Sequence, residues 1–308
     1  MRNDPKVIVI LLNYCNWQYT LDCVQSLNQC IYSNFKIIII DNNSPNDSER
    51  MLREKLPNSL IYQTGSNLGY TGGINFGIKK AIEEDFSYIL ILNPDTLVDP
   101  NFLNILVEGM EVNPTAAAGC GTIYHYPKTN DIWYAGGKMV PWRGLAVHNH
   151  TFPNENGRMD KRPRFVSFIT GCMAFLRRST LLDIGLQDER FFMYLDDIEY
   201  SARITKKGYD LLYIPSAIIY HRIEAEEESP FKLYYSVRNR LLLISTSFSM
   251  IERIIATIYF LMVITVKLIV WGAVKPSLFR AAYAGLYDYF TDNLNEGRGV
   301  SEFLTLSP

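Results

Sequence analysis

Acidic and amide side chains follow three apolar, strand-like runs at the points where the runs end. Asn13 follows the first run, Asp41 and Asn43 the second, and Asn93 and Asp95 the third. In an open parallel sheet, ligands bind outside the carboxyl ends of the strands. A single Asp after a strand is most simply a turn former, but three such endings together favour a binding site. Asp95 in particular could hold Mg²⁺ or Mn²⁺ against a departing diphosphate, because a carboxylate is a hard oxygen ligand.

A second group of acids, Asp196, Asp197 and Glu199, follows an apolar and aromatic run. Acids at the start of a helix could simply complement the helix dipole. Because they emerge from a core-like run, we expect instead a buried carboxylate with a raised pKa, suited to act as a general base toward a hydroxyl group. His221 follows another strand-like run and could complete a metal site, or it could be a structural strand-end histidine.

A glycine-rich segment, from Gly69 to Gly73, opens a predicted helix. Backbone N–H groups at a helix start can approach an anionic ligand closely. Close packing of the helix on a strand explains the same glycines equally well. The segment alone therefore does not decide between the two.

The composition of the chain limits the classes of protein to which it can belong. The net charge of the 308 residues is -2, which gives no electrostatic indication of a nucleic-acid partner. Five cysteines form no C-x-x-C pair, a pattern typical of reduced thiols in a cytoplasmic protein. The polar N-terminus lacks the apolar region of a signal peptide, so we expect no export.

The elements that must position these residues alternate between strand and helix. We predict buried strands at 7–12, 36–40, 60–63 and 88–92, with helices at 19–30, 48–55 and 69–83 between them. Such alternation predicts an α/β fold with a mostly parallel sheet and helices on both faces. Further strands are predicted at 165–169, 173–176, 209–214 and 218–221, with Pro215 ending the third of these. Residues 125–164 are expected to form an irregular functional loop region.

The C-terminal part is predicted to be helical, after a boundary at the acidic run 224–228. Residues 254–274 are almost wholly apolar, interrupted by Lys267, and are long enough to span a bilayer. The basic residues around this stretch favour a helix lying on an anionic membrane surface. A spanning helix, and a helix packed in a core or a homo-oligomer, remain the alternatives.

Together these residues resemble the large inverting glycosyltransferase family 2, with its nucleotide-diphospho-sugar transferase (GT-A) fold, and its rhamnosyl- and galactofuranosyltransferase-like branch in particular. The resemblance covers residues 6–222. The motifs that carry it are V-I-V-I-L-L-N-Y (7–14), I-I-I-I-D-N-N-S (37–44), N-L-G-Y-T-G-G-I-N-F-G (67–77), L-N-P-D-T (92–96), F-F-M-Y-L-D-D-I-E-Y (191–200) and G-Y-D-L-L-Y-I-P-S-A-I-I-Y-H (208–221). The Y-Y-S-V-R-N-R stretch (234–240) resembles the segment that follows the catalytic part in the same branch.

The resemblance implies roles for individual residues. Asp41 would hold the nucleobase, and Asp95 would match the metal-binding last acid of the family's D-x-D motif, whose first acid is replaced by Asn93. Asp197 would be the catalytic base with Asp196 beside it, and His221 a metal ligand. The predicted donor site comprises Asn13, Asp41, Asn43, Asn67, Gly69, Gly73, Asn93 and Asp95.

The predicted function is therefore transfer of a sugar, with rhamnose or galactofuranose favoured, from a dTDP- or UDP-sugar donor. The acceptor would be a glycan or lipid-linked glycan of bacterial surface polysaccharide synthesis, at the cytoplasmic face of the membrane, with Mn²⁺ or Mg²⁺ as cofactor. We expect a catalytic domain at 1–223, with a nucleotide-binding half at about 1–97 and an acceptor half at about 98–223, and a helical region at 224–308.

Other classes of protein fit less well. A dinucleotide-dependent oxidoreductase needs G-x-G-x-x-G directly after the first strand, where Asn13 and Tyr14 stand. A glycoside hydrolase also uses paired carboxylates but has no need of a nucleotide site. A non-catalytic scaffold or regulatory relative within a glycan assembly complex stays open as the alternative function.

Overall fold

A computed structural model describes residues 4–127, 131–150, 160–223 and 229–297. The chain forms two compact units. The first contains Met1–Lys138, His148–Gln187 and Ser201–Ile223, and the second contains Met139–Val147, Asp188–Tyr200 and Glu224–Pro308. The acidic run 224–228, where a boundary is predicted, lies outside the described residues.

Strands and helices alternate through the first half of the chain. In order they are β1 (Val7–Asn13), α1 (Trp17–Leu27), β2 (Phe35–Asp41), α2 (Ser48–Lys55), β3 (Leu60–Gln63), α3 (Gly69–Ile82), β4 (Tyr88–Leu92), β5 (Thr96–Val98), α4 (Phe102–Val112) and β6 (Ala116–His125). The second half contains β7 (Ile132–Tyr134), β8 (Gly137–Val140), β9 (Leu145–His148), β10 (Arg164–Val166), β11 (Met173–Arg177), α5 (Arg178–Ile184), α6 (Asp196–Lys206), β12 (Asp210–His221), α7 (Pro230–Ser247), α8 (Met250–Val274) and α9 (Pro276–Phe290).

One mixed sheet dominates the first unit. Its strand order is β10-β12-β6-β11-β4-β1-β2-β3, with β5 added to β12 and β7 added to β6. Neighbours among β3, β2, β1 and β4 run parallel, as predicted, but β11 runs antiparallel between β4 and β6. Because β1, β2 and β4 are parallel neighbours, their carboxyl ends share one edge of the sheet.

Helix α3 lies close to the central strands because it is rich in glycine. A Cβ atom on Gly73 would lie 2.4 Å from a methyl carbon of Leu12, and one on Gly77 would lie 2.7 Å from Ile10. Both partners belong to β1, which is buried along its whole length. Gly73 and Gly77 therefore serve the close packing of helix on strand, one of the two explanations that the sequence left open for the glycine-rich segment.

Two predictions about regular structure are wrong. Pro215 does not end a strand: β12 runs through it, and the register with β6 shifts between Tyr213 and Ile218. Such an irregularity accommodates a residue that has no backbone N–H to donate. The region 125–164 is also less irregular than expected, because it contains β7, β8 and β9. Residues 128–130 and 151–159 of that region lie outside the described part.

The second unit is built on α7, α8 and α9. Helix α9 packs tightly on α7, since a Cβ atom on Gly285 would lie 2.7 Å from the carbonyl oxygen of Tyr234. Helix α8 begins with a capping box formed by Ser249 and Glu252. Among the described residues, α8 is the one helix long and apolar enough to cross a membrane by length and composition, with a mean hydropathy of 2.3 over its best window. Most of its surface is exposed.

Candidate active site

The first cluster of predicted residues lies at the ends of β1 and β2. Asn13 and Asp41 are partners in the sheet register, and Asn13 donates a 2.7 Å hydrogen bond to the Asp41 carboxylate. Ser44 donates to the same carboxylate through its backbone N–H and its hydroxyl group, at 2.9 and 2.8 Å. Thr20 donates to the side-chain oxygen of Asn13 at 2.8 Å. Asp41 is fully buried, and these hydrogen bonds satisfy its carboxylate. They also fix the loop after β2.

Asn42, which the sequence did not single out, connects this loop to the start of α3. Its side chain donates to the side-chain oxygen of Asn67 and to the carbonyl oxygen of Gly69, both at 3.0 Å, and accepts from the backbone N–H of Leu68. Asn43 has a positive φ of 57° and accepts a hydrogen bond from Gln63. The predicted residues Asn67 and Gly69 are thus brought to the edge of the sheet where Asp41 lies.

The second cluster joins the end of β4 to the end of β12. Strand β5 pairs with β12 so that Thr96 lies opposite His221, and this places the preceding Asp95 beside the imidazole. His221 Nε2 lies 3.1 Å from each Asp95 carboxylate oxygen, although only Oδ2 has hydrogen-bond geometry. The side-chain oxygen of Asn93 accepts a 3.1 Å hydrogen bond from the Tyr70 hydroxyl group.

His221 is buried at the end of β12. The ring of Trp133 packs edge-on against the imidazole at 5.0 Å. Burial lowers the pKa of His221, but the neighbouring Cys172 and the Asp95 carboxylate outweigh it and raise the pKa to about 10. Cys172, which lies on the turn before β11, thus contributes to the pKa of His221. The sequence did not reveal this contact.

A divalent cation would fit the Asp95 and His221 pair by displacing the proton that the raised pKa keeps on His221. Asp95 Oδ1 is buried and has no hydrogen-bond partner among the described residues, and His221 Nε2 is the ring nitrogen that faces it, at 3.1 Å. The carboxylate suits Mn²⁺ and Mg²⁺, which prefer oxygen ligands and can keep waters and substrate phosphates as their other ligands. Within the described ranges there is no cluster of three or more His, Cys, Asp or Glu side chains that could hold a metal ion alone. A cation at Asp95 and His221 would therefore need further ligands, such as waters or the phosphate oxygens of a substrate.

The second unit holds the other predicted acids at the start of α6. The chain before them is strained, because Phe192, Tyr194 and Leu195 have positive φ angles of 56°, 67° and 65°. Each such residue costs on the order of 1–3 kcal/mol and persists only where its surroundings enforce it. We define residues 190–195 as the acidic-site loop, since it leads directly into Asp196 and Asp197.

Two side chains of α7 hold the acidic-site loop in place. The Asn239 amide donates to the carbonyl oxygens of Phe191, Met193 and Tyr194 at 2.7, 2.7 and 3.0 Å. Arg238 is fully buried and donates to the carbonyl oxygens of Arg190 and Phe191. The sequence showed the R-N-R triplet but did not reveal this role, which depends on a contact between distant parts of the chain.

The two acids at the start of α6 have different environments. Asp196 is buried, and its Oδ2 has no hydrogen-bond partner in the described part of the chain. Burial and then the negative charge of Asp197 raise the pKa of Asp196 well above 3.8. Asp197 is half-buried, and its Oδ1 accepts from the backbone N–H of Ile198 at 2.9 Å. The raised pKa expected for this cluster therefore falls on Asp196.

Comparison with known proteins identifies the family to which this chain belongs. The family model described as "Glycosyl transferase family 2" matches residues 6–185, more than half of the chain. The chain belongs to glycosyl transferase family 2.

Two relatives of this family 2 transferase are themselves glycosyltransferases. The N-acetylglucosaminyl-diphospho-decaprenol L-rhamnosyltransferase of Mycobacterium tuberculosis is 24% identical over 239 residues, which cover 72% of this chain and 78% of that protein. A low-salt glycan biosynthesis hexosyltransferase of Haloferax volcanii is 23% identical over 266 residues, covering 81% of this chain and 78% of that protein.

Solved structures share the fold of the transferase. The structure of GalNAc-T7 with UDP, GalNAc and Mn²⁺ aligns with a TM-score of 0.66 and 18% identity, over 80% of this chain and 48% of that one. A mannosyltransferase of Pyrobaculum calidifontis in complex with GDP-Man and Mn²⁺ aligns with a TM-score of 0.56 and 13% identity, over 98% of this chain and 79% of that one. The predicted family, the α/β GT-A fold and the predicted class of enzyme are thereby confirmed.

Proposed function

We propose that this family 2 transferase moves a sugar, with inversion, from a UDP- or dTDP-sugar onto a lipid-linked glycan acceptor at the cytoplasmic face of a membrane. The pairing of Asp95 with His221 at the edge of the sheet that also carries Asp41 is the observation on which the proposal rests. Rhamnose is the favoured sugar, because the mycobacterial relative is a rhamnosyltransferase that acts on a diphospho-decaprenol acceptor.

On the donor side, Asp41 and Asn13 would position the nucleoside, as the fixed loop after β2 permits. Asp95 and His221 would hold Mn²⁺ or Mg²⁺, which when bound neutralises the charge of the diphosphate. Asn93 stands where the family has an acid, and Tyr70 orients its amide. These residues of the first unit would thus bind and orient the leaving group.

On the acceptor side, Asp197 would be the general base. Because Asp196 is buried and resists ionisation, Asp197 is the acid of the pair that carries the negative charge near neutral pH. In a single displacement, a carboxylate oxygen of Asp197 takes the proton of an acceptor hydroxyl group. The hydroxyl oxygen forms a bond to the anomeric carbon, and the bond from that carbon to the diphosphate breaks on the opposite face, so the configuration inverts.

Membrane contact would occur through α8 and α9. The exposed apolar side chains of these helices are Met250, Ile251, Ile254, Ile255, Ile258, Met262, Val266, Ile269, Val270, Val274, Phe279, Tyr283, Tyr287 and Phe290. So large an apolar surface is unusual on a monomeric soluble protein and typical of membrane or protein contacts. A membrane position would suit an acceptor that is anchored in lipid.

A thermal-shift panel tests the donor side. UDP, dTDP and GDP are each added with and without Mn²⁺, to the wild-type protein, to Asp95→Asn and to the control Asp85→Asn, whose side chain is 98% exposed. At about 100 times its dissociation constant, the correct nucleotide should stabilise the native state by about 2.7 kcal/mol. We expect this stabilisation to need Mn²⁺ in wild type and control, and to be lost in Asp95→Asn.

If no nucleotide stabilises the wild-type protein under any of these conditions, the donor site is wrong. The non-catalytic scaffold would then become the better account. Equal stabilisation of Asp95→Asn and wild type would remove Asp95 from the site.

A further inference from the structure

The second unit contains an apolar groove that the donor and base residues do not use. Its volume is about 250 Å³, and its walls come from α7, α8 and the segment around Leu145. Most of the lining is hydrocarbon, including Phe260, Ile264 and Trp271. Two cationic side chains, Arg240 and Lys267, also line it.

Neither cation of the groove has a counter-ion within the described part of the chain. No carboxylate of the described residues forms an ion pair with Arg240 or Lys267, and Arg240 Nε is buried without a hydrogen-bond partner there. The Arg240 guanidinium stacks on Phe260 at 4.7 Å, and the Lys267 ammonium lies 5.1 Å from the ring centre of Trp271. Arg240 is half-buried, and partial burial of a charge without an anionic partner is unfavourable, so this arrangement suits an anionic ligand that the exposed Lys267 can also reach.

A third cation adds to the positive charge. Arg240 donates a hydrogen bond to the carbonyl oxygen of Arg143, whose own Nε is buried and has no partner in the described ranges. Burial, opposed by Tyr259 and aided by the charge of Arg143, lowers the pKa of Arg240 to about 10. An anion bound in the groove would reduce the repulsion between the charges of Arg240 and Arg143.

The groove also adjoins the acidic-site loop. Leu195, the last residue of that loop, lines the groove. The next two residues along the chain are Asp196 and Asp197. A ligand whose anionic group lies in the groove would therefore carry its attached sugar close to the proposed base.

We propose that this groove binds the diphosphate and the first prenyl units of the lipid-linked acceptor, with the diphosphate held by Arg240 and Lys267. The assignment rests on the proposed function for the identity of the substrate. An ordinary anionic phospholipid has a phosphate and a hydrocarbon chain too, but it carries no acceptor sugar. Leu195 directly precedes Asp196 and Asp197, so a ligand bound in the groove lies near the proposed base. This position favours a ligand that carries an acceptor sugar over a bulk lipid.

Binding without turnover tests the site. Calorimetry in the presence of a metal chelator measures the affinity for farnesyl diphosphate, farnesol and inorganic diphosphate, and flotation measures binding to phosphatidylglycerol vesicles. The variants are Arg240→Gln and Lys267→Gln. The control is Lys275→Gln, which removes an exposed cation just after α8 that does not line the groove.

We expect the wild-type protein to bind farnesyl diphosphate more tightly than either farnesol or inorganic diphosphate. Loss of a charge-assisted hydrogen bond should weaken this binding about tenfold or more in Arg240→Gln and in Lys267→Gln, and Lys275→Gln should stay within about twofold of wild type. Lys267 is exposed, so Lys267→Gln keeps the test valid even if Arg240→Gln lowers the melting temperature.

Two results would overturn the proposal. Either both groove variants bind farnesyl diphosphate as the control does, or vesicle binding depends on Arg240 and Lys267 while farnesyl diphosphate binds no better than farnesol. The second result would identify a phospholipid headgroup site. Nucleotide stabilisation, measured on the same variants, separates failure of the groove from failure of the proposed transferase function.

Discussion

Asp196 and Asp197 are adjacent in sequence but differ in the property that matters for acid–base chemistry. Asp196 is 4% exposed and has an unsatisfied oxygen among the described residues, whereas Asp197 is only half-buried and accepts a backbone hydrogen bond. Two neighbouring carboxyl groups with different environments can separate their roles, one staying neutral while the other is ionised. We infer that Asp196 supports the charge state of Asp197 by remaining protonated.

The substitution Asp196→Asn tests this inference through the pH dependence of stability. In the unfolded chain the carboxyl group titrates near 3.8, but in the folded protein its pKa is well above that value. The favourable contribution of the protonated group is therefore complete below the unfolded pKa and is lost as pH rises toward the folded one. We expect the melting temperature of the variant, relative to wild type, to rise as the pH increases from the unfolded-state pKa near 3.8 toward the raised pKa of the folded protein.

Differential scanning calorimetry at several pH values makes the comparison. Asp85→Asn, an exposed control, should show no such rise relative to wild type. A constant difference between Asp196→Asn and wild type across the range would contradict the raised pKa of Asp196.

Residues at strand ends could be predicted because parallel neighbours end at one edge of a sheet. That rule singled out Asp41 and Asp95, which the structure places at the ends of β2 and β4. It could not find Asn42, whose partners lie at the start of α3, or Asn239, whose partners lie in the acidic-site loop. Such roles depend on contacts between distant parts of the chain, which leave no periodic pattern in the sequence.

At the level of elements, α7 acts as a support for the acidic-site loop. Three non-glycine residues of that loop have positive φ angles. Asn239 donates to the carbonyl oxygen of one of them, Tyr194, and to those of the neighbouring Phe191 and Met193. Helix α7 therefore stabilises the strained conformation of the acidic-site loop. The sequence predicted the helix but not this contact.

Asn239→Ala should release the loop. Loss of the amide group that donates to three carbonyl oxygens is expected to cost about 2–4 kcal/mol of folding stability. Because the loop positions Asp197, kcat should fall while nucleotide binding in the first unit stays close to wild type. Chemical denaturation, steady-state kinetics and nucleotide titration measure these three quantities.

The matched control is Asn104→Ala on α4, whose amide donates to Glu108 on the helix surface. It should change stability by no more than about 0.5 kcal/mol. If Asn239→Ala were as stable and as active as this control, the acidic-site loop would not depend on α7.

The β12 strand shows a second limit of sequence reasoning at this scale. Pro215 predicted a strand end, yet the register shift near it lets β12 continue to His221. Continuation of the strand is what brings His221 to Asp95, through the pairing of β12 with β5. A rule that is correct for a regular ladder thus fails at an irregularity on which the candidate metal site depends.

At the scale of the whole molecule, the chain combines a nucleotide-sugar transferase fold with an apolar helical surface. Helix α8 buries Ala256, Phe260, Ile264 and Trp271 within the second unit, and most of its other large apolar side chains are exposed. The alternation of strands and helices in the first unit was predicted from apolar runs. Which face of α8 is buried was not predicted, because α8 is apolar on all sides.

Substitutions on the exposed face of α8 test membrane contact without removing the helix. Ile258→Gln and Val266→Gln alter side chains that are 64% and 59% exposed. Each should lower partition into phosphatidylglycerol vesicles about tenfold, the effect of losing a partly buried aliphatic group. Flotation measures the partition, and circular dichroism checks the fold.

Thr265→Gln, at an exposed polar position of the same helix, is the control and should partition as wild type does. Unchanged partition of both aliphatic variants would argue against docking through this face. A packed or oligomeric role for α8 would then be favoured.

The most direct test of the central claim is the turnover of Asp197→Asn with a UDP- or dTDP-sugar and a prenyl-diphosphate-linked acceptor. Product formation gives kcat, NMR of the wild-type product gives the anomeric configuration, and the thermal-shift panel gives nucleotide binding. We predict an inverted product from the wild-type enzyme, and in the variant unchanged nucleotide binding with kcat lower by about 10²–10⁴. Near-wild-type turnover of Asp197→Asn, or a product of retained configuration, would contradict the account.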